Sequence, residues 1–165
     1  MTFAPRTWVV GEVVTAATMN QEIRDQLNSM FAAWTSYTPT WTASTTNPVL
    51  GNGSLTGVYM KVGRTCHVQV ELSCGTTTTY GSGNWSLGLP FTSTNSGGLR
   101  IGVAQASGSI RAAGQVTVNT SASTFGLWFP ATGSVSNLSA ATATVPYTWA
   151  STNFLRCSFT YETAS

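Results

Sequence analysis

The sequence predicts a mainly β protein that begins with an N-terminal arm and a single α-helix. The first observation is a hydrophobic period near 3.5 over residues 15–34, which is typical of a coiled-coil helix. The second is a period of two after residue 37, in short runs bounded by turn residues. Such runs favour an antiparallel β-sandwich, here of about eight strands and of jelly-roll type. We therefore expect an arm over 1–14, a helix over 15–34 and a β head domain over 37–165.

The predicted helix carries one apolar seam and needs something to pack against. The seam residues are Ala16, Asn20, Ile23, Leu27, Met30 and Trp34. Thr15 is a suitable N-cap, and a lone seam asparagine such as Asn20 is a known device for fixing register and subunit number. An isolated helix of about 20 residues is marginal in water. Two partners are open from the sequence: other copies of the chain in a trimeric, coiled-coil-like bundle, or the helix's own domain.

The arm before the helix is too apolar for a free terminus. Its large apolar side chains are Trp8, Val9, Val10, Val13 and Val14. We expect the arm to be extended and docked on a partner subunit or on a larger assembly. The alternative is a disordered terminus.

The clearest predicted strand lies near the middle of the chain. Its apolar face consists of Cys66, Val68, Val70, Leu72 and Cys74, and the alternate positions are polar. A similar face over residues 155–161 contains Cys157. We expect all three cysteines to point inward as small core residues, because their odd number and their parity fit neither a disulfide framework nor a metal site.

Composition excludes several classes of function. Charged residues make up 7 % of the chain, against about 25 % in an ordinary soluble domain. The cations are scattered, so the basic patch of a nucleic-acid binder is absent. No apolar run is long enough to span a membrane, and we expect no signal peptide in the first twenty residues. We therefore expect a chain that is made in a cytosol. We also expect it to work in an assembly, because its few charges provide little repulsion between copies.

Acidic and histidine residues are too few for the common hydrolytic sites. His67 and Glu71 share one strand face but lie roughly 13 Å apart, which is too far for a hydrogen bond. No aspartate follows Asp25, which excludes a Ser-His-Asp triad in the β domain. A glycosidase would need Glu71 and Glu162 to meet at the scissile bond. We therefore expect no enzyme, no metal and no cofactor.

Four aromatic residues are candidates for contact with an outside partner, because we expect them in loops or on the face opposite the core: Tyr80, Trp128, Tyr147 and Trp149. Aromatic side chains beside Thr, Asn and Ser suit sugar stacking or protein contact. We favour burial between subunits over glycan binding for these residues.

Two motifs resemble small virion proteins of tailed bacteriophages, known as minor tail proteins, head fibres or capsid decoration proteins and often found in phages of actinobacteria. The first motif is WVVGEVVTAATMNQEIRDQL at residues 8–27. The second comprises Tyr37, Pro39 and Trp41, then LGNGSLTGVY at 50–59, VGR at 62–64 and GSGNWSLGLP at 81–90. The resemblance covers about half of the chain and does not extend beyond residue 90.

This resemblance implies a structural protein on the virion surface, made in the cytoplasm of the host bacterium. It implies an N-terminal part that attaches to major capsid or tail proteins, a short helical bundle, and a homotrimeric β head that faces outward. Capsid and tail remain open as locations. A tail module that binds a host cell-surface polysaccharide is the alternative function. A glycan depolymerase is a third possibility, which the shortage of carboxylates disfavours.

Overall fold

The computed structural model describes residues 7–131 and 137–164 and contains one helical segment followed by ten strands. The helical segment comprises α1 (Ala16–Met19), a π-helical turn (Asn20–Arg24) and α2 (Asp25–Phe31). The strands are β1 (Thr35–Tyr37), β2 (Trp41–Ala43), β3 (Ser54–Val62), β4 (Thr65–Ser73), β5 (Trp85–Gly88), β6 (Arg100–Ser107), β7 (Arg111–Val118), β8 (Thr124–Pro130), β9 (Leu138–Ala140) and β10 (Phe154–Glu162). The prediction of a mainly β chain with a single helix before the strands is confirmed. Within the described ranges, no helix has the length and apolarity needed to cross a membrane.

The helical segment begins where the sequence predicts and ends three residues early. Thr15 caps α1, because its side-chain oxygen accepts a hydrogen bond from the backbone N–H of Thr18 at 3.2 Å. Ala32 is extended, with ψ of 146°, so Phe31 is the last helical residue. Trp34, which we expected at the end of the helix, lies instead in the extended connection to β1.

A π-helical turn interrupts the α-helix. The backbone N–H of Asp25 donates to the carbonyl of Asn20, five residues earlier, instead of to the carbonyl four residues earlier. The wider turn rotates α1 relative to α2, so the predicted seam does not follow one regular stripe through Asn20. The coiled-coil arrangement of the helix stays a prediction.

All ten strands belong to one antiparallel sheet. Its order is β1-β3-β4-β10-β6-β7-β8-β5-β2, and β9 pairs with β8. The antiparallel arrangement is as predicted, but one continuous hydrogen-bonded path takes the place of the two separate sheets of a jelly-roll sandwich. The difference arises because side-chain alternation identifies strands and not their distant partners. β4 and β10 pair over nine residues although about half of the chain lies between them.

The sheet curls around a single core. Phe125 on β8 and Phe159 on β10 have ring centroids 4.7 Å apart, although two strands lie between them in the sheet. The apolar faces that alternation predicts for β4 and β10 are buried in this core, and so are the three cysteines. A tight turn joins β3 to β4, with Gly63 at a φ of 58°.

The chain around Pro39 contributes to two short strands, β1 and β2, which lie at opposite edges of the sheet. Pro39, which has no backbone N–H to donate, lies in the three-residue connection between β1 and β2. The edges approach each other near Gly88, whose N–H donates to the carbonyl of Thr40 at 2.9 Å. The carbonyl of Gly88 accepts a hydrogen bond from the hydroxyl of Tyr37 at 3.5 Å. The sheet therefore curls far enough to bring its two ends together.

Candidate assembly surfaces

The predicted seam of the helix faces solvent in the single chain. Ile23, Leu27 and Met30 are 45, 48 and 42 % exposed, and Ala16 and Asn20 are also exposed. α2 contacts the sheet at β3, but this contact does not cover the seam. Of the two partners that the sequence leaves open, the exposure favours another copy of the chain over the helix's own domain.

The described part of the N-terminal arm also presents apolar side chains to solvent. Each of its four valines is at least half exposed: Val9, Val10, Val13 and Val14. A turn at Gly11 is closed by a hydrogen bond from the N–H of Glu12 to the carbonyl of Val9 at 3.1 Å. Trp8 is 45 % exposed, and residues 1–6 of the predicted arm lie outside the described residues. Docking of this arm on a particle stays a prediction.

The outer face of the sheet carries paired charges and a hydrogen-bonded histidine. Glu71 pairs with Arg156 on the neighbouring strand at 2.6 Å, and both side chains are about half exposed. His67 Nδ1 shares a hydrogen bond of 2.8 Å with the hydroxyl of Thr160. His67 and Glu71 therefore face solvent, as predicted, and each is engaged with β10 and not with the other.

The two glutamates of the sheet lie far apart within one chain. Glu71 is opposite Arg156 on β10, and Glu162 lies six residues further along that strand, a separation of roughly 20 Å. Glycosidase carboxyl pairs need about 5–10 Å. Glu162 is also held by Arg64 at 3.2 Å. A glycosidase pair cannot form within one copy in this arrangement.

A second apolar surface, which alternation alone does not identify, lies on the outer face of β6 and at its start. Leu99, Ile101 and Val103 are 53, 61 and 65 % exposed. Ile101 and Val103, together with Trp34 and His67, line a shallow groove of about 580 Å³. This face was missed because alternation shows that β6 has two unlike faces and not which one is inward. The inward positions of β6 hold Gly and Ala.

The four candidate contact aromatics lie in different surroundings. Trp149 is buried in the core, where its ring lies 5.1 Å from that of Trp85, and Tyr147 packs against it. Tyr80 is half-buried and stacks on Trp85. Of the four, Trp128 is exposed: its indole lies on the outer face and donates to the hydroxyl of Thr117 at 2.9 Å. Contact with an outside partner therefore stays a prediction, and Trp128 is the residue of the four that suits it best.

The three thiols are buried and have raised pKa values. Burial raises the pKa of Cys66, Cys74 and Cys157 above the ordinary value for a thiol. A raised pKa leaves little thiolate near neutral pH, so these residues are poor nucleophiles and poor metal ligands. Within residues 7–131 and 137–164, no three His, Cys, Asp or Glu side chains are grouped as metal ligands.

The chain is similar to a phage tail protein. Over 135 residues, 82 % of its length, it is 31 % identical to the "Mu-like prophage FluMu defective tail fiber protein" of Haemophilus influenzae. The chain spans about a fifth of that protein's length, since the match covers 21 % of it. No family model and no solved structure matches the chain.

The similarity supports the general part of the resemblance found in the sequence. It supports a relation to phage tail proteins. It gives no support to the narrower classes of actinobacterial minor tail protein, head fibre or capsid decoration protein.

Proposed function

We propose that this chain is a structural component of a bacteriophage tail, of the tail-fibre type, and that it works as a homotrimer. The similarity to a prophage tail fibre protein is the observation that carries the proposal. The exposed helical seam and the low charge of the chain support assembly from several copies. Head fibre and capsid decoration protein are the competing locations, and they require the same chain to bind heads.

The proposal divides the chain into three tasks. Residues 1–14 dock on the tail through the exposed valines, residues 15–34 bring the copies together, and the β domain over 37–165 faces outward. The arm is suited to docking because its valines are exposed and the described part of the chain offers them little cover. The partners are then other copies of the chain and the tail protein that receives the arm.

Particles that lack the protein provide the test. Purified tails and purified heads from such particles are incubated with the full-length chain or with a chain that starts at Thr15. We expect the full-length chain to bind tails and not heads, and the shortened chain to keep its oligomeric state but bind neither. Binding to heads alone would contradict the tail location. Equal binding by the shortened chain would place the attachment surface in the β domain.

A second candidate function is recognition of a host cell-surface glycan, and the surroundings of Trp128 favour it. The exposed indole lines a shallow cavity of about 220 Å³ together with polar side chains that include Asn84, Asn119 and Thr117. An aromatic wall beside amide and hydroxyl groups suits a sugar ring. Quenching of tryptophan fluorescence by purified host polysaccharide should be lost in Trp128→Ala. No quenching in the parent protein would reject glycan binding at this site. A depolymerase is the least supported function, because the two glutamates lie too far apart.

A further inference from the structure

The packing of a single copy does not explain why the outer face of β6 is apolar. An antiparallel sheet with one solvated face normally alternates apolar inward and polar outward residues. β6 departs from this rule, because Ile101 and Val103 point outward while Gly102 and Ala104 point inward. We propose that Leu99, Ile101 and Val103, together with Trp34, form a self-association surface that contacts another copy of this chain. The inference rests on the proposed homotrimer, and we call these four residues the β6 stripe.

The strand partners of Ile101 and Val103 in the sheet are polar but uncharged. Val103 lies opposite Ser158 on β10 and opposite Gln115 on β7, and Ile101 lies opposite Thr117 on β7. Leu99, just before β6, and Ile101 and Val103 within it are spaced two apart, so they extend over roughly 13 Å of extended chain. A polar rim around an apolar centre is the usual composition of a protein interface.

The stripe reaches the end of the helical segment through Trp34. Trp34 follows α2 by three residues and lines the same groove as Ile101 and Val103. α2 itself contacts β3, which is next to β4 in the sheet. β4 and β10 lie between β3 and β6, and His67 of β4 and Thr160 of β10 line the same groove as Trp34 and Ile101. The end of the helix therefore lies on the outer face of the sheet near the stripe, and we infer that a copy that packs on the seam of Leu27 and Met30 also covers the stripe.

The exposed area explains why the helix needs the stripe. A stable interface covers about 800 Å² of each partner. Half-exposed Ile23, Leu27 and Met30 offer on the order of 250 Å² of apolar area, and the stripe adds roughly 400 Å². The helix alone falls well short of a stable interface, whereas helix and stripe together approach it.

The charges near the stripe favour a second copy over a charged partner. Glu162 beside the stripe is held by Arg64 at 3.2 Å and by Arg100 at 3.8 Å. Glu71 is paired with Arg156 at 2.6 Å. A surface whose nearby charges are already paired attracts neither a basic nor an acidic partner strongly, but it suits an uncharged apolar surface on another copy of the chain.

Two isoleucines make a matched test. Ile101 in the stripe is 61 % exposed, and Ile110 at the far end of the β6–β7 hairpin is 57 % exposed. Ile101→Glu should weaken self-association at least about tenfold in sedimentation equilibrium, because it buries an unpaired carboxylate in the interface. Ile110→Glu should leave association unchanged. Both variants should keep the parent's thermal unfolding midpoint measured under dissociating conditions, since both side chains are exposed in the single chain.

Thiol labelling gives a second readout that does not disturb the interface by charge. The native cysteines are buried, so Ile101→Cys and Ile110→Cys each introduce one accessible thiol. In the assembled protein Ile101→Cys should react at least about tenfold more slowly than Ile110→Cys. Equal labelling together with equal association of the two glutamate variants would overturn the stripe and leave a helix-only trimer intact. A monomeric parent would overturn self-association altogether, and the tail assignment would then be judged by particle binding alone.

Discussion

Replacing Leu27 by aspartate is the most informative single change, because it separates assembly from folding. Leu27 is about half exposed in the single chain, so the fold of each copy should tolerate the change. In the proposed trimer the same residue lies in the seam, where the exposed half of a leucine contributes about 1 kcal/mol when it is covered. An unpaired carboxylate at that position costs about 2 kcal/mol in addition.

These terms are repeated in every subunit. A loss of about 3 kcal/mol per subunit is about 9 kcal/mol per trimer, which weakens assembly on the order of a millionfold. Light scattering coupled to size exclusion should therefore find trimers for the parent and monomers for Leu27→Asp. Asn28→Asp is the matched control, since it adds the same charge to an exposed neighbouring position outside the predicted seam. A Leu27→Asp protein that keeps the parent's mass would refute the seam.

Three further predictions concern the β domain. The three cysteines should react with a thiol reagent only after unfolding, and rapid labelling of the native protein would show that a thiol is exposed. Burial raises the pKa of Tyr80 and Tyr147 to about 12 from the ordinary 10, so ultraviolet titration should show them ionising late. Because the folded-state pKa values are the higher ones, the stability that depends on neutral tyrosines should be complete below pH 10 and lost between pH 10 and 12. Gly102→Ala should lower the free energy of unfolding by about 1–3 kcal/mol in denaturant titration, since a Cβ there would overlap the Cβ of Phe159. Gly126→Ala, whose nearest contact would be a hydroxyl at 3.1 Å, should cost less, and an equal loss would contradict this packing.

The strands that sequence reasoning locates well are those with one buried face. β4 and β10 place bulky residues at every second position, and both lie where alternation predicts them. Their pairing with each other could not be predicted, because the register depends on residues about half a chain apart. The two edge strands on either side of Pro39 could not be predicted for a related reason: the curled sheet has two edges, and the proline lies where the chain passes from one to the other.

The candidate surfaces were harder to predict than the strands. The positions of the helical seam were found from their spacing. The π turn and the early end at Phe31 were not, because the spacing of apolar residues does not reveal which backbone carbonyl accepts each hydrogen bond. The β6 stripe was missed because alternation does not show which face of a strand is inward. Phe159 lies against Gly102, so the inward face of β6 takes small residues and its large apolar residues lie outward. Trp149 lies outside the strands, but its loop folds onto the core and buries the side chain.

A quantitative mass-spectrometric inventory of purified tails and purified heads tests the central claim most directly. Phage particles are separated into the two parts, and the copy number of this chain is measured in each against a structural protein of known stoichiometry. We expect the chain in tails, at a copy number divisible by three, and at background level in heads. Enrichment in heads would contradict a tail protein, and a tail copy number that is not a multiple of three would contradict the trimer.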